Sequence, residues 1–271
     1  MSKELKKYYI AYFDILGYKA FFDDRGNDVF EFLKANISMA KDIVKKTTSN
    51  PVFTDMAFII KSFSDNFMIL IEDTLQSDGY KEVKALSYLM ALFQLRFLEK
   101  YKILVRGSIT KGEAYINDDI VFGEGLIRAV AMEEYANFPR IIIDKERIRG
   151  EICEDLCEKC VAKDEDEEYY VNFFEIIGSD IGTDSEFSNN KEKHILQIRD
   201  NTKFLIKKYG KYHRSVKDVK KIQQSEKTIS KYAWLLTKYN QYCELYAPKF
   251  SINYKLVLYY RLMRCEIEVN E

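Results

Sequence analysis

Histidine is nearly absent from this chain. Among 271 residues there are two, His194 and His213, and neither lies near the aspartates or the cysteine cluster described below. Sequence therefore offers no histidine general base or fourth zinc ligand beside those motifs. No apolar run reaches the roughly 18 residues that span a bilayer. The opening Met1-Ser2-Lys3-Glu4-Leu5-Lys6-Lys7 lacks a signal-peptide apolar core. A cytoplasmic location without a membrane partner is the expectation. Charge of either sign is not in excess, with 42 basic residues against 43 acidic and a net charge of −1. That balance removes the long-range pull expected of a chain bound stably to nucleic acid. Internal repeats and low-complexity tracts are missing. Cysteines number five, an odd count. Cys153, Cys157 and Cys160 cluster, one ligand short of a zinc site, and are read as thiols on a helix or its loop.

What is present suits one globular domain with an extension: 47% hydrophobic and 31% charged residues. Residues 8–16 read as an apolar strand and 28–47 as an amphipathic helix, with Val29, Leu33, Ile37, Ala40 and Val44 at helical spacing. Residues 57–72 read as a hairpin with Ser64-Asp65-Asn66 at its turn. Residues 81–100 read as a second helix. Residues 102–116 read as a second hairpin turning at Thr110-Lys111-Gly112. Residues 124–137 read as helical and 140–144 as a short buried strand. The order is βαββαβ, which predicts an α/β (α+β) ferredoxin-like or palm-type core. The acidic run Lys163–Glu168 reads as a solvated turn before a strand over 169–177. The expected layout is a catalytic domain over 1–177, a loop over 178–193, and a helical extension over 194–271 packed on the core. In that extension Val219, Ile222, Ile229, Ala233, Leu236 and Cys243 form a heptad-like stripe.

Two carboxylates stand out. Asp14 ends the apolar run Tyr8–Phe13, where an uncompensated charge is costly. Asp65 sits at the hairpin tip, a position that also suits aspartate for conformational reasons alone. Two such groups converging on Mg²⁺ or Mn²⁺, with phosphates completing the shell, make a nucleotide-handling site. Gly17 would let the backbone after Asp14 approach phosphates. Arg106 interrupts an apolar strand, which points to an active face or a buried pair with Asp14 or Asp65. Lys61 is read as a base or phosphate contact or as an exposed strand lysine. Tyr18 and Phe21 are candidates for base stacking. Arg128 is a candidate phosphate contact or a surface arginine.

Three segments in this order resemble the class III nucleotidyl (adenylate/guanylate) cyclase catalytic fold. They are Phe13-Asp14-Ile15-Leu16-Gly17-Tyr18, Lys61-Ser62-Phe63-Ser64-Asp65-Asn66, and Arg106–Glu113 followed by Val121-Phe122-Gly123. The resemblance covers about residues 8–144. It implies Asp14 and Asp65 as metal ligands, Ile15 contributing its carbonyl, and two Mg²⁺ or Mn²⁺ ions per active site. It further implies a homodimer with interfacial sites that converts a nucleoside triphosphate to a 3′,5′-cyclic monophosphate and pyrophosphate. The departures are specific. The transition-state Asn and Arg positions of purine cyclases fall on Ile127 and Ala131, and Arg128 is left to contact phosphate in their place. The adenine-reading Asp position falls near Ile120, so Lys61, at the adenine-reading lysine position, lacks its partner, and Ser64 replaces a glycine. The pattern is most similar to the divergent bacterial pyrimidine cyclases of antiphage signalling. That similarity implies UTP or CTP as substrate and a separate effector that reads the product. Two other readings share the paired aspartates: a palm-type oligonucleotide synthetase and a degenerate cyclase-like module that binds nucleotide or a partner.

Overall fold

The computed structural model describes residues 4–18, 28–48, 53, 56–74, 79–152, 156, 160–177, 190–215, 218–259 and 264–269. The chain divides into two compact units, Met1–Arg96 with Ile103–Asn189, and Phe97–Lys102 with Asn190–Glu271.

The first unit is built around β1 (Lys6–Ile15), whose residues Tyr8 to Phe13 are all buried. A strand covered on both faces needs a continuous apolar run, and this run is what makes it central. It pairs antiparallel with β3 (Asn66–Glu72) on one side and β4 (Val105–Ile116) on the other. β2 (Phe58–Phe63) lies outside β3. α1 (Asp28–Thr48) and α2 (Tyr80–Tyr101) are the connections between parallel strands. The order β2-β3-β1-β4 is the ferredoxin-like arrangement. The sheet is extended by β6 (Ile141–Ile143), parallel to β4, and then by β8 (Tyr169–Val171) and β7 (Val161–Lys163). On one face Phe13 stacks on Phe67 with centroids 5.2 Å apart and meets Phe93 of α2. The other face, with Tyr8, Ile10, Tyr12, Met68, Leu70 and Ala114, receives Ala129 of α3 (Glu124–Tyr135).

Three expectations are corrected. β4 runs unbroken through Thr110-Lys111-Gly112, where a turn was expected. Thr110 is buried and its hydroxyl donates to Asp144 at 2.7 Å. Gly112 is a close-approach glycine: a Cβ there would lie 2.5 Å from Cα of Gly125 in α3. The turn comes later, where the Asn117 side chain accepts from the amides of Asp119 and Ile120 before β5 (Val121–Phe122). The acidic run is a turn but not simply a solvated one. Asp164 and Asp166 hold the guanidinium of Arg140, which is fully buried at the head of β6 and requires such pairing. The strand after it ends at Val171 rather than at 177.

The second unit is not helical throughout. α4 (Lys191–Ser215) and α5 (Val219–Tyr246) pair as an antiparallel hairpin, with Tyr209 stacked on Tyr232 and Tyr239 hydroxyl near the carbonyl of Ile195. A short 3₁₀ turn and a hairpin of β9 (Tyr254–Tyr259) and β10 (Arg264–Val269) follow. Ile229, Leu236 and Cys243 of the heptad-like stripe are buried. The Asn201 amide caps the carbonyls of Leu98 and Glu99 at the end of α2. The Asn240 side chain exchanges two hydrogen bonds with the backbone of Ile252, each 2.8 Å. No helix among the described residues is long and apolar enough to cross a membrane.

Candidate active site

Strand register sets the site. Phe63 pairs with Asn66, Asn66 with Asp14, and Asp14 with Arg106, so one row of side chains crosses β2, β3, β1 and β4 on the face covered by α3. Asp14 is half-buried, and the Arg106 guanidinium approaches its carboxylate at 3.7 Å. Asp65 occupies the two-residue turn between β2 and β3, beside Asn66, whose amide donates to it at 3.3 Å. Its carbonyl accepts from the amide of Ile15 at 3.2 Å. That bond joins the two aspartate-bearing segments at one end of the sheet. Ser64, before Asp65, has φ 56°. This left-handed value is the one a glycine would adopt at least cost.

Glu133 completes the cluster, and sequence reasoning missed it. It is buried on the inner stripe of α3 with Gly125 and Ala129. It pairs with Arg106 Nε. Burial, first of all, and the adjacent Asp14 charge push its pKa up to about 7, partly offset by Arg106. A hydrogen bond between the two carboxyls favours the proton further. The available signal was a glutamate four and eight residues after two small residues, Ala129 and Gly125, on one helical stripe. Tyr12, one row back, donates to Asn66 Oδ1 at 2.5 Å. Burial, then the negative charges of Glu133, Asp14, Asp65 and Glu134, raise its phenol to about 12. The site is therefore a region of negative potential with one guanidinium set into it.

The remaining candidates fall in three places. Gly17 has φ +78°, and among the described residues other than its chain neighbours no atom lies within 4 Å of where its Cβ would be. Tyr18 follows it, half-buried. Lys61 lies one row from Asp14 on the same face and donates to the carbonyl of Asn117 at 2.7 Å. This brings it to the turn that carries Ile120. Arg128 is apart from the cluster. It makes a two-pronged contact with buried Asp144, at 2.7 and 2.9 Å, and a third bond to Glu146. Phe21, Cys153 and Cys157 lie outside the described residues; Cys160 is a buried thiol.

Among the described residues no group of three or more His, Cys, Asp or Glu side chains is arranged to hold a metal ion. The donors near Asp14 and Asp65 are hard oxygens, two carboxylates and backbone carbonyls. They fit a small divalent cation that takes its other ligands from water and substrate phosphates, not one caged wholly by protein.

Solved cyclase structures are similar to this chain. The adenylyl cyclase CyaB from P. aeruginosa shares 14% identity, covering 63% of this chain and 96% of that one at a TM-score of 0.47. The catalytic core of a rhodopsin-guanylyl cyclase with converted specificity, in complex with ATPalphaS, shares 11%, covering 62% and 95% at 0.42. An adenylate/guanylate cyclase/hydrolase from Silicibacter pomeroyi shares 14%, covering 62% and 95% at 0.41. No protein-family model matches the chain, and no curated protein matches its sequence.

Proposed function

We propose that this chain is a metal-dependent nucleotidyl cyclase. The observation that carries the reading is the joining of Asp14 and Asp65 at one sheet end by the Ile15–Asp65 backbone bond, with Arg106 beside Asp14. Asp14, Asp65 and the Ile15 carbonyl would hold Mg²⁺ or Mn²⁺. Lewis acidity toward the ribose 3′-hydroxyl and neutralisation of the departing pyrophosphate come from the cation when bound. In the reaction the 3′-oxygen forms a bond to the α-phosphorus, the bond from that phosphorus to the α–β bridging oxygen breaks to release pyrophosphate, and the hydroxyl proton passes to water. Arg106 offers donors to the triphosphate from a rigid central strand, and Glu133 holds its guanidinium in place. The turn at Gly17 admits phosphate oxygens close to backbone amides.

Lys61 and the turn bearing Ile120 form the base side of the site in this reading. With Ile120 where an adenine-reading aspartate would stand, a pyrimidine triphosphate, UTP or CTP, is the preferred substrate. Ile127 and Ala131 on the exposed side of α3 face a second copy, so the working species is a homodimer with interfacial sites. A role in antiphage signalling through a separate effector follows from the similarity of motifs. The test is incubation with each of the four nucleoside triphosphates and Mn²⁺, with products read by mass spectrometry. One cyclic monophosphate from a pyrimidine triphosphate supports the reading. A linear oligonucleotide assigns the chain to the palm-type synthetases instead.

One observation favours a second reading, a nucleotide-binding module without turnover. Arg128, the substitute for the missing Asn/Arg pair, is committed to Asp144 and Glu146. Nucleotide binding without any product from the folded dimer would select it.

A further inference from the structure

The overall charge balance hides a strong local imbalance. Residues 203–231 hold ten lysines and arginines against two acids, Asp218 and Glu226, in a chain whose net charge is −1. From Tyr209 onward this stretch is the turn end of the α4–α5 hairpin, marked off by the Tyr209–Tyr232 stack with centroids 4.5 Å apart, and residues 203–208 are the part of α4 that leads into it. About three and a half turns of α5 lie beyond that stack.

The exposed positions are consistently polar. Between 207 and 230 the described exposed residues are Lys207, Lys208, Ser215, Asp218, Lys220, Lys221, Gln223, Gln224, Lys227 and Ser230. Asp218 is committed to capping α5, where it accepts from the amide of Lys221 at 3.0 Å. On α5 the exposed stripe Lys220, Gln224, Lys227 lies opposite the buried stripe Ser225, Ile229, Leu236. Sheltering the apolar stripe against α4 leaves the basic one to solvent.

We infer that the turn end of this hairpin binds the phosphate backbone of double-stranded nucleic acid without regard to sequence. Lysine supplies the charge, and glutamine and serine supply phosphate hydrogen bonds. An inserted membrane helix needs exposed Trp, Phe or Leu on its apolar face; between 207 and 230 no large hydrophobic residue is exposed among the described residues, and exposed Phe204, before that span, carries the Lys102 ammonium over its ring at 4.5 Å. A single-strand platform presents aromatic faces to bases, whereas Tyr209 and Tyr232 stack on each other. The inference stands apart from the cyclase reading and revises the expectation, drawn from net charge, of no nucleic-acid partner.

The test is fluorescence anisotropy of the full chain with a 30-base-pair duplex of random sequence, from 25 to 200 mM salt. A parallel sedimentation assay uses neutral vesicles and vesicles containing phosphatidylserine. Five exposed lysines predict a slope of log affinity against log salt of about −4.5. Replacing Lys207, Lys208, Lys220, Lys221 and Lys227 by glutamine removes the slope and weakens binding at 50 mM salt at least a hundredfold, with the circular dichroism spectrum unchanged. Absence of duplex binding, binding that survives these replacements, or binding to anionic vesicles alone would each overturn the inference.

Discussion

Ser64 shows how one residue records a constraint on the site. Its positive φ places Asp65 at the tip of the β2–β3 turn, a backbone state that glycine adopts freely and a β-branched residue resists. Ser64→Gly is expected to leave stability within about 0.5 kcal/mol, because relief of strain and the added freedom of the unfolded chain nearly cancel. Ser64→Val is expected to cost about 1–3 kcal/mol. Urea unfolding of both variants checks this. Glu133 gives a pH signature. Burial first, then the Asp14 charge, lift its pKa to about 7 from the ordinary 4.5, so the folded chain binds a proton between those values that the unfolded chain releases. Stability should therefore fall as pH rises from 4.5 to 7. Glu133→Gln should flatten that part of the profile, a difference on the order of 2–3 kcal/mol by pH 8. An unchanged slope in the variant would contradict the assignment. Asp14, Asp65 and Arg106 were legible in the sequence because each breaks a local pattern: a charge at the end of, or within, an apolar strand, or at a turn tip. Glu133 was not, because its partners are defined only once α3 lies across β1 and β4.

At the scale of elements, α3 is positioned by two devices. The first is the contact of Gly112 in β4 with Gly125 in α3, which a Cβ on either glycine would break. Gly112→Ala is expected to cost about 1–3 kcal/mol and to lower turnover by displacing Glu133 from Arg106. Turnover and thermal unfolding of the same variant separate the two effects. The second is the Arg128–Asp144–Thr110 connection between α3, β6 and β4. Burial alone would raise the pKa of Asp144, but Arg128 and Thr110 outweigh it and hold it below the ordinary carboxylate value. Arg128→Met leaves that buried carboxylate without its main counter-charge and is expected to cost about 3–5 kcal/mol at pH 7. The deficit should shrink in acid, where the abandoned carboxyl takes a proton. Chemical unfolding at pH 7 and pH 5 measures both. The strands and helices from β1 to α2, and α3 and β6 beyond them, were readable from periodicity and turn residues. The break expected at Gly112 was not real, because glycine marks a turn and a close approach alike, and only the packing of α3 distinguishes them. The acidic run misled for a similar reason: charges that look solvated in sequence surround Arg140, a pairing across the fold that no local pattern reveals.

At the scale of the whole molecule, the chain combines a ferredoxin-like unit, with the aspartate cluster at one sheet end, and a unit whose helical hairpin ends in a basic turn. Its net charge of −1 describes neither, because an average over the chain hides the basic stretch over 203–231. Order along the chain was a better guide to fold, since βαββαβ leaves few arrangements that bury β1 on both faces. The central claim is that Asp14 and Asp65 act together to cyclise a nucleoside triphosphate. The most direct measurement is the rate of cyclic monophosphate formation with Mn²⁺ by the wild-type chain, Asp14→Ala and Asp65→Ala, each shown to be folded. The account predicts product from the wild type and a fall of at least a thousandfold in either variant. Product that persists in both variants, or no cyclic product from any of the four triphosphates with the wild-type chain, would contradict it.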